Sequence, residues 1–331
     1  MAVGNTPVCS VVTPFHNTAE YLAECIESVL AQSLRDFEYV LLDNCSTDGS
    51  LAIAQRYALA DSRIRIEHND TLLPQVTNYN RALTLISSQT RYVKIVQADD
   101  AIYPHCLEDM VAFADAHPSV ALVGSYFHHR GIEPAEMPHQ AQVLSGREAC
   151  RKQLLDGVFL FGSPTTLLMR ADVVRSRVPF YTEGHLHEDT EVCFELLRDR
   201  DFGFVPQLLS FVRIDPRSTM GCVRNFHPAL LDRLIRLKRY GREFLSEREY
   251  EEHLGTHERR YWRMLADAWL RRREPAFWDY HRRGLATIGE HIDTSALLRA
   301  TLPTLVQKGL HAPARLVSLV RSKFRRDPPL A

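Results

Sequence analysis

Short apolar runs alternate with one-sided helical patterns through the first part of the chain. Mostly apolar runs, each typical of a buried strand, cover residues 8–13, 37–42, 64–68, 92–96 and 120–123. Between them, apolar residues recur at helical spacing within residues 19–32, 50–60, 78–87 and 104–116. Parallel strands need a crossover connection, which a helix of this length supplies. The pattern predicts an α/β fold with a mainly parallel, helix-covered central sheet.

The pattern changes near residue 225, where strand-like runs give way to helical periodicity. Leu230, Leu231 and Leu234 share one helix face, and Ser246 with Glu249 has the spacing of a capping box. We therefore expect a first domain over residues 1–224, with halves divided near residue 125, and an all-helical appendage over residues 225–331. Its aromatic stripes favour packing on the first domain or formation of a homodimer over a further ligand site.

Composition and charge narrow the class of protein. The 331 residues are 45% hydrophobic and 24% charged, which is typical of a globular chain. Forty Lys and Arg against 41 Asp and Glu give a net charge of −1, so bulk electrostatics do not favour nucleic acid.

The chain shows no signal-peptide pattern, and its longest apolar stretch, residues 154–169, is interrupted by Asp156 and Pro164. We therefore expect a cytoplasmic protein. The seven cysteines are scattered without a C-x-x-C pair, which predicts free thiols.

Polar clusters follow three of the predicted strands, at residues 13–17, 43–49 and 97–100. The carboxyl ends of parallel strands share one edge of a sheet, where ligands bind. The third cluster contains two adjacent carboxylates, Asp99 and Asp100, which repel each other unless a cation or strong donors neutralise them. Hard oxygen ligands favour Mg²⁺ or Mn²⁺ shared with substrate phosphates. A lone Asp-Asp pair is usually a solvated turn, but three strand ends together predict a metal-held diphosphate.

These motifs resemble a known family. The segments VVTPFHN (residues 11–17), SVLAQS (28–33), DFE (36–38) and LDNCSTDGS (42–50) resemble, in order and spacing, the amino-terminal half of family 2 glycosyltransferases of GT-A fold. Residues 80–83, 97–100 and 188–189 extend the resemblance over roughly residues 8–215. It implies a nucleotide-diphospho-sugar transferase fold for the first domain. It also implies inverting transfer of a sugar with Mn²⁺ or Mg²⁺ and a carboxylate base.

The resemblance also implies roles in donor binding. Thr13 and Phe15 would line the nucleobase pocket, with the aromatic ring as a stacking face. Asp99 would approach the ribose and Asp100 would ligate the metal. The resemblance favours a UDP-sugar, but Asn44 stands where relatives often have an aspartate that contacts uracil, and this departure leaves the base open. The other candidate donor-binding residues are Asn17, Asp43, Asn80, Arg81 and Arg213, of which Arg81 is equally well explained as an exposed helix cation.

A second acidic pair points to the acceptor. Glu188 and Asp189 resemble the family's Glu-Asp motif, which implies Asp189 as the base and Glu188 in acceptor binding; alternatively, both carboxylates only stabilise a helix amino terminus. Ser163 or Thr165 could reach the acceptor.

Two further groups of side chains near these motifs have weaker assignments. His185 and His187 are expected to be loop histidines rather than metal ligands. Asp215 stands where many relatives have a histidine. Arg213 or Arg217 could close over phosphate when a mobile loop orders.

Family acceptors are often saccharides or lipid-linked saccharides, so a basic amphipathic segment at residues 312–326 bears on location. It could rest on an anionic membrane, at the inner face of the cell membrane, or pack on the protein; both readings stay open. The leading function is glycosyl transfer in surface polysaccharide or glycolipid synthesis.

The sequence disfavours two other functions. Sugar-phosphate nucleotidyl transfer is disfavoured because PFHN (residues 14–17) replaces a glycine-rich basic loop. A non-catalytic scaffold or nucleotide-sugar-binding role is disfavoured by the retention of both Asp100 and Asp189.

Overall fold

The computed structural model describes residues 6–129, 140, 142–155, 159–184, 187–215, 217 and 219–307. The chain divides into two compact units, Met1–Cys222 and Val223–Ala331. The boundary expected after residue 224 lies two residues beyond this division. The basic segment at residues 312–326 and His185 lie outside the described residues.

The first unit contains a large sheet, with strands in the order β3-β2-β1-β4-β8-β6-β9-β5 and β7 paired to β9. The strands are β1 (Cys9–Phe15), β2 (Phe37–Asp43), β3 (Ile64–His68), β4 (Tyr92–Ile95), β5 (Ala101–Ile102), β6 (Val120–His129), β7 (Gln142–Leu144), β8 (Leu168–Arg170) and β9 (Asp201–Val212).

The sheet is parallel in one half and mixed in the other. Strands β3, β2, β1 and β4 are mutually parallel, as the sequence predicted. Strand β8 pairs antiparallel with both β4 and β6, and β9 pairs parallel with β6 but antiparallel with β5 and β7. The mainly parallel sheet predicted from the sequence therefore describes only the first half. The segment before β8 starts beside the carboxyl end of β4, where the Thr165 hydroxyl accepts from the Gln97 amide at 3.0 Å, so β8 must run back along β4.

Helices cover the sheet because each buries one side. Leu22, Cys25, Ile26 and Val29 of the first helix are buried, at the spacing that the sequence pattern predicts. The helices of this unit are α1 (Leu22–Leu30), α2 (Ser50–Ala60), α3 (Gln75–Thr84), α4 (Cys106–Ala116), α5 (Gly146–Leu155), α6 (Ala171–Arg175) and α7 (Glu188–Leu196), with α8 (Thr219–Val223) at the division. Helix α3 begins three residues before the predicted start because Pro74 occupies its N-cap position.

The described part of the second unit, residues 223–307, is helical. It contains α9 (Pro228–Phe244), α10 (Glu247–Leu270), α11 (Pro275–Ala286) and α12 (Thr294–Gln307). The predicted capping box is present: the Ser246 hydroxyl accepts from the Glu249 amide, and the Glu249 carboxylate accepts from the Ser246 amide at 3.0 Å. Among the described helices, none has the length and apolar character that crossing a bilayer requires.

Candidate functional site

The ends of β1 and β2 are bonded to each other through side chains. Asn17 has a φ of +52°, and its side-chain oxygen accepts from the Thr47 amide at 2.8 Å. Asp43 accepts from the Ser46 amide at 3.1 Å. Asp48 accepts from the Ser50 amide at 2.9 Å, at the start of α2, whose N-cap is Gly49. Two of the predicted strand-end clusters therefore form one bonded edge.

Thr13 and Phe15 do not present their side chains at this edge. Alternate residues of a strand share a face, and on β1 both side chains point towards the core. Thr13 is fully buried, and its hydroxyl donates to the Val96 carbonyl at 2.8 Å; Phe15 is 2% exposed and belongs to the apolar core. The expected stacking face is therefore corrected: contact between these two residues and a nucleobase would have to come from the main chain.

The Asn44 side chain is hydrogen-bonded to the loop that follows β3. Its side-chain oxygen accepts from the Leu73 amide at 2.9 Å and from Asn69 at 2.7 Å, while its side-chain nitrogen donates to the Leu73 carbonyl at 2.9 Å. Asn69 also donates to Asn78 on α3 at 2.7 Å. The Asn44 amide, expected to meet the base, instead clamps both main-chain groups of Leu73.

Helix α3 contributes a second clamp. Asn80 is buried, donates to the Tyr181 carbonyl at 2.9 Å and accepts from the Tyr181 amide at 2.7 Å. Arg81 donates to the His68 carbonyl at 2.8 Å, while its Nε is buried without a partner. Asn80 therefore ties α3 to the segment before α7 rather than facing a phosphate, and Arg81 is anchored at the end of β3.

Asp99 and Asp100 follow β4, and their surroundings differ. Asp100 is 2% exposed; it accepts from the Thr165 hydroxyl at 2.6 Å and from the Arg213 amide at 2.9 Å. Burial and the neighbouring Asp99 raise the pKa of Asp100 to about 7. Asp99 is half-buried, and burial raises its pKa as well, opposed by Arg213. The pair therefore lacks full charge compensation within the chain.

Arg213 packs directly on this pair. Its side chain donates to the Asp99 carbonyl at 2.8 Å and to Glu24 at 2.6 Å, and its guanidinium lies 4.5 Å from the centre of the Tyr21 ring. Arg213 thus reaches the acidic pair, as the donor-site prediction requires.

Asp215 and Arg217 are hydrogen-bonded to the two residues that precede α1. Arg217 donates to Asp215 at 2.6 Å and to Glu20 at 2.8 Å, and the Tyr21 hydroxyl donates to Asp215 at 3.0 Å. These bonds, chiefly those from Arg217, hold the pKa of Asp215 well below its usual range. Asp215, the residue at the relatives' histidine position, is therefore an ionised partner of Arg217.

The acceptor candidates meet at a second place. Glu188 begins α7, in which Val192, Phe194 and Leu196 are buried. Asp189 and Ser163 line one small cavity of about 10 Å³, which is otherwise mostly apolar. The Ser163 hydroxyl is buried there and has no hydrogen-bond partner among the described residues. Burial and the adjacent Asp189 raise the pKa of Glu188 to about 7.

One segment connects the two acidic pairs. Ser163 and Thr165 lie two residues apart on either side of the Pro164 turn; Ser163 lines the Asp189 cavity, whereas the Thr165 hydroxyl donates to Asp100. Thr165, expected near the acceptor, is instead bonded to Asp100. Lys94, within the strand predicted at residues 92–96, lies fully buried beneath this segment. A lysine among apolar strand residues was the signal that could have marked it.

The acidic pair fits a divalent cation held jointly with phosphates. Each Asp100 oxygen accepts one hydrogen bond and can accept two, so lone pairs remain. Among the described residues no group of three His, Cys, Asp or Glu could hold a metal alone. Mg²⁺ is commonly held by one or two carboxylates plus substrate phosphates rather than by an all-protein cage.

The sheet, the helical cover and the strand-end acidic pair define a GT-A type of architecture. The family model for glycosyl transferase family 2 matches residues 10–177, about half of the chain. The chain belongs to glycosyltransferase family 2.

Several curated relatives match parts of the chain. The putative glycosyltransferase EpsE of Bacillus subtilis is 37% identical over 178 residues, covering 51% of this chain and 59% of EpsE. The glycosyltransferase GlyG of Streptococcus pneumoniae is 28% identical over 120 residues, covering 36% of this chain and 39% of GlyG. The chain thus matches well under two thirds of the length of these two relatives.

Solved structures share the fold at low sequence identity. Residues 1–349 of S. aureus TarS, determined in complex with UDP-GlcNAc, superpose with a TM-score of 0.64 at 16% identity, covering 92% of this chain and 93% of that fragment. The mannosyltransferase PcManGT from Pyrobaculum calidifontis, determined with GDP-Man and Mn²⁺, superposes with a TM-score of 0.52 at 14% identity, covering 96% of this chain and 80% of PcManGT. These similarities establish the fold.

Proposed function

We propose that the protein is a metal-dependent, inverting glycosyltransferase that moves a sugar from a nucleotide-diphosphate sugar to a hydroxyl acceptor. The observation that carries this proposal is the segment at residues 163–165, which borders both acidic pairs. Thr165 bonds Asp100, and Ser163 shares a cavity with Asp189. A transferase needs a donor site and a base beside each other, and this segment supplies a common wall.

The donor side would hold the nucleotide at the ends of β1, β2 and β4. Asn17, Asp43 and the main chain near Phe15 border the base and ribose, with Asp99 next to the ribose. When bound, Mn²⁺ or Mg²⁺ on Asp100 would neutralise charge on the leaving diphosphate. Arg213, already on the Asp99 carbonyl, is placed to meet a phosphate oxygen if it exchanges Glu24 for the donor.

The acceptor side would use Asp189. In an inverting transfer the acceptor hydroxyl attacks the anomeric carbon from the face opposite the diphosphate, and a base removes its proton as the bond forms. Asp189 takes this proton in our proposal. Glu188 and the unpartnered Ser163 hydroxyl bind and orient the acceptor.

The class of substrate follows from the relatives. TarS was determined with UDP-GlcNAc and PcManGT with GDP-Man, so a UDP-sugar is our first choice of donor and a GDP-sugar the second. We propose a saccharide or lipid-linked saccharide as acceptor, within synthesis of a surface polysaccharide or glycolipid. This would place the protein on the cytoplasmic side of the membrane.

Nucleotide release from a panel of nucleotide sugars tests the function. The full chain is incubated with each sugar and Mn²⁺, with and without a cell-derived acceptor extract. We expect release with one donor, its stimulation by acceptor and its loss with chelator. Binding of a nucleotide sugar without any turnover would instead favour a non-catalytic binding protein.

A further inference from the structure

Lys94 is a fully buried lysine in the middle of β4. Its Nζ donates to the Thr165 carbonyl at 2.6 Å and to the Leu167 carbonyl at 3.2 Å, and lies 3.7 Å from the Met110 sulfur. Among the residues that the structure describes, no carboxylate forms an ion pair with it. Lys94 therefore places a buried amine under the segment at residues 163–167, where it donates to neutral main-chain partners and burial lowers its pKa.

Thr165 connects Lys94 to the acidic pair through hydrogen bonds. Its hydroxyl donates to the Asp100 carboxylate at 2.6 Å and accepts from the Gln97 amide at 3.0 Å. Its carbonyl, besides Lys94, also accepts from the Ser210 hydroxyl at 3.3 Å. These four hydrogen bonds restrain both the main chain and the hydroxyl of Thr165, and the hydroxyl is directed towards Asp100.

We propose that Lys94 is a positioning residue of the donor site, which fixes the Thr165 main chain so that the Thr165 hydroxyl orients the Asp100 carboxylate. The inference rests on the proposed function in one respect, that Asp100 serves the donor. Groups that orient a metal-binding carboxylate from outside its first contacts change metal affinity or activity about 10–100-fold when removed.

Stability alone does not explain a lysine at this position. Burying an ionisable amine without an ionic partner costs free energy, so an apolar side chain of similar size need not destabilise the fold. The surroundings of Lys94 would accommodate such a side chain, because Cys9, Cys106 and Met110 are fully buried neighbours. The lysine therefore has an effect that a methionine would lack, namely bonds to the two carbonyls.

A matched set of variants of the full chain tests the inference. Lys94→Met removes the bonds to both carbonyls, Thr165→Val removes the hydroxyl, and Thr165→Ser keeps the hydroxyl. Thr90→Val is the control, because Thr90 is also a buried threonine but bonds the carbonyls of Val8 and Tyr92, at the opposite end of β4.

Two measurements are made on each variant. Binding of Mn²⁺ in the presence of UDP is followed by electron paramagnetic resonance, and amide hydrogen exchange is followed across residues 97–102. Thermal midpoints are recorded alongside to separate position from stability. We expect Lys94→Met and Thr165→Val to weaken Mn²⁺ binding about 10-fold and to accelerate exchange at residues 97–102, with an unchanged or raised midpoint for Lys94→Met.

The outcomes separate this inference from the proposed function. Thr90→Val should bind Mn²⁺ like the wild type, and Thr165→Ser should recover most of the affinity that Thr165→Val loses. Equal Mn²⁺ affinity and equal exchange in wild type, Lys94→Met and Thr165→Val would overturn the positioning role, as would an equal loss in Thr90→Val. If the wild type binds no Mn²⁺ with UDP, the donor proposal fails, and exchange at residues 97–102 still decides whether Lys94 orders the segment.

Discussion

The two acidic pairs of the catalytic unit are built in different ways. Asp100, at the end of β4, is held by the Thr165 hydroxyl and the Arg213 amide. Asp189, in the first turn of α7, accepts from the Thr190 amide at 2.7 Å and lines a cavity where the Ser163 hydroxyl has no partner. The Asp100 carboxylate is therefore already held by hydrogen bonds, whereas the described residues offer no partner to the Ser163 hydroxyl in the cavity that Asp189 lines.

This difference fits the two kinds of ligand that we propose. A diphosphate with a cation is the same in every donor, and a rigid carboxylate suits it, because preorganised groups need no rearrangement during the reaction. An acceptor hydroxyl must approach, react and leave as part of a larger product. The cavity beside Asp189, of about 10 Å³, is no larger than a water molecule, so we expect its lining residues to rearrange when an acceptor binds. Four substitutions probe this contrast.

Asp189→Asn should have the largest effect. Removing the base should lower the rate of transfer about 1,000-fold while donor affinity stays within a factor of two, because general base catalysis contributes roughly 10²–10⁴-fold. Initial rates and donor binding are measured together. Asp172→Asn, which changes another carboxylate in the first turn of a helix, serves as control. Equal rates for wild type and Asp189→Asn would remove Asp189 as the base.

Asp100→Asn should affect the donor side instead. An amide ligates a divalent cation less well than a carboxylate, so we expect Mn²⁺-dependent donor affinity to fall about 100-fold. Calorimetry with UDP and Mn²⁺ measures the loss, and UDP binding in the presence of chelator gives the metal-free reference. Donor affinity that does not depend on metal in either protein would contradict the assignment.

Asn44→Asp tests the clamp on the loop after β3. The variant loses the donor to the Leu73 carbonyl and sets a carboxylate against it, which leaves a polar group unsatisfied. We expect faster amide exchange at residues 69–74 and a donor affinity lower by about 10-fold, the order expected for a loss of about 1.4 kcal/mol. Improved binding of UDP would show that the base, rather than the loop, is the partner of residue 44.

Glu188→Gln should have the smallest effect, and it depends on pH. The folded-state pKa of Glu188 is about 7, above its ordinary value of 4.5, so the folded form favours the proton. Its contribution to stability is present below pH 4.5 and is lost as the pH rises through 7. Glutamine removes this dependence.

The midpoint of the Glu188→Gln variant should exceed that of the wild type by about 2–4 °C at pH 8 and by little at pH 4.5. Scanning calorimetry across this pH range measures it. A constant difference in midpoint at all pH values would argue against a titrating Glu188.

Local patterns predicted much of the fold. The strand at residues 64–68 and the helix at residues 50–60 have the predicted bounds, and the Ser246–Glu249 capping box is present. Each depends on residues close together in the chain. The direction of β8 escaped prediction, because three residues of strand carry no signal of which neighbours they join.

The site divides in the same way. The motifs at Asp99–Asp100 and Glu188–Asp189 were visible as short patterns. The alternation of side chains along β1 is consistent with Thr13 and Phe15 pointing inward, whereas the family motif alone suggests that they face a ligand. Asn80 and Tyr181 are 101 positions apart in the chain, and Thr165 and Asp100 are 65 positions apart. Local sequence patterns therefore could not predict these hydrogen bonds.

The sequence by itself determined the alternating strands and helices, the helical second unit, the acidic pairs and the family. These follow from periodicity and short motifs, which act over a few neighbouring residues. Only the tertiary structure decided which polar groups are already satisfied. It committed Asn44 and Asn80 to main-chain partners, left the Ser163 hydroxyl open beside Asp189, and set Lys94 beneath Thr165. Hydrogen-bond partners across a sheet depend on strand order, and strand order is a property of the whole fold.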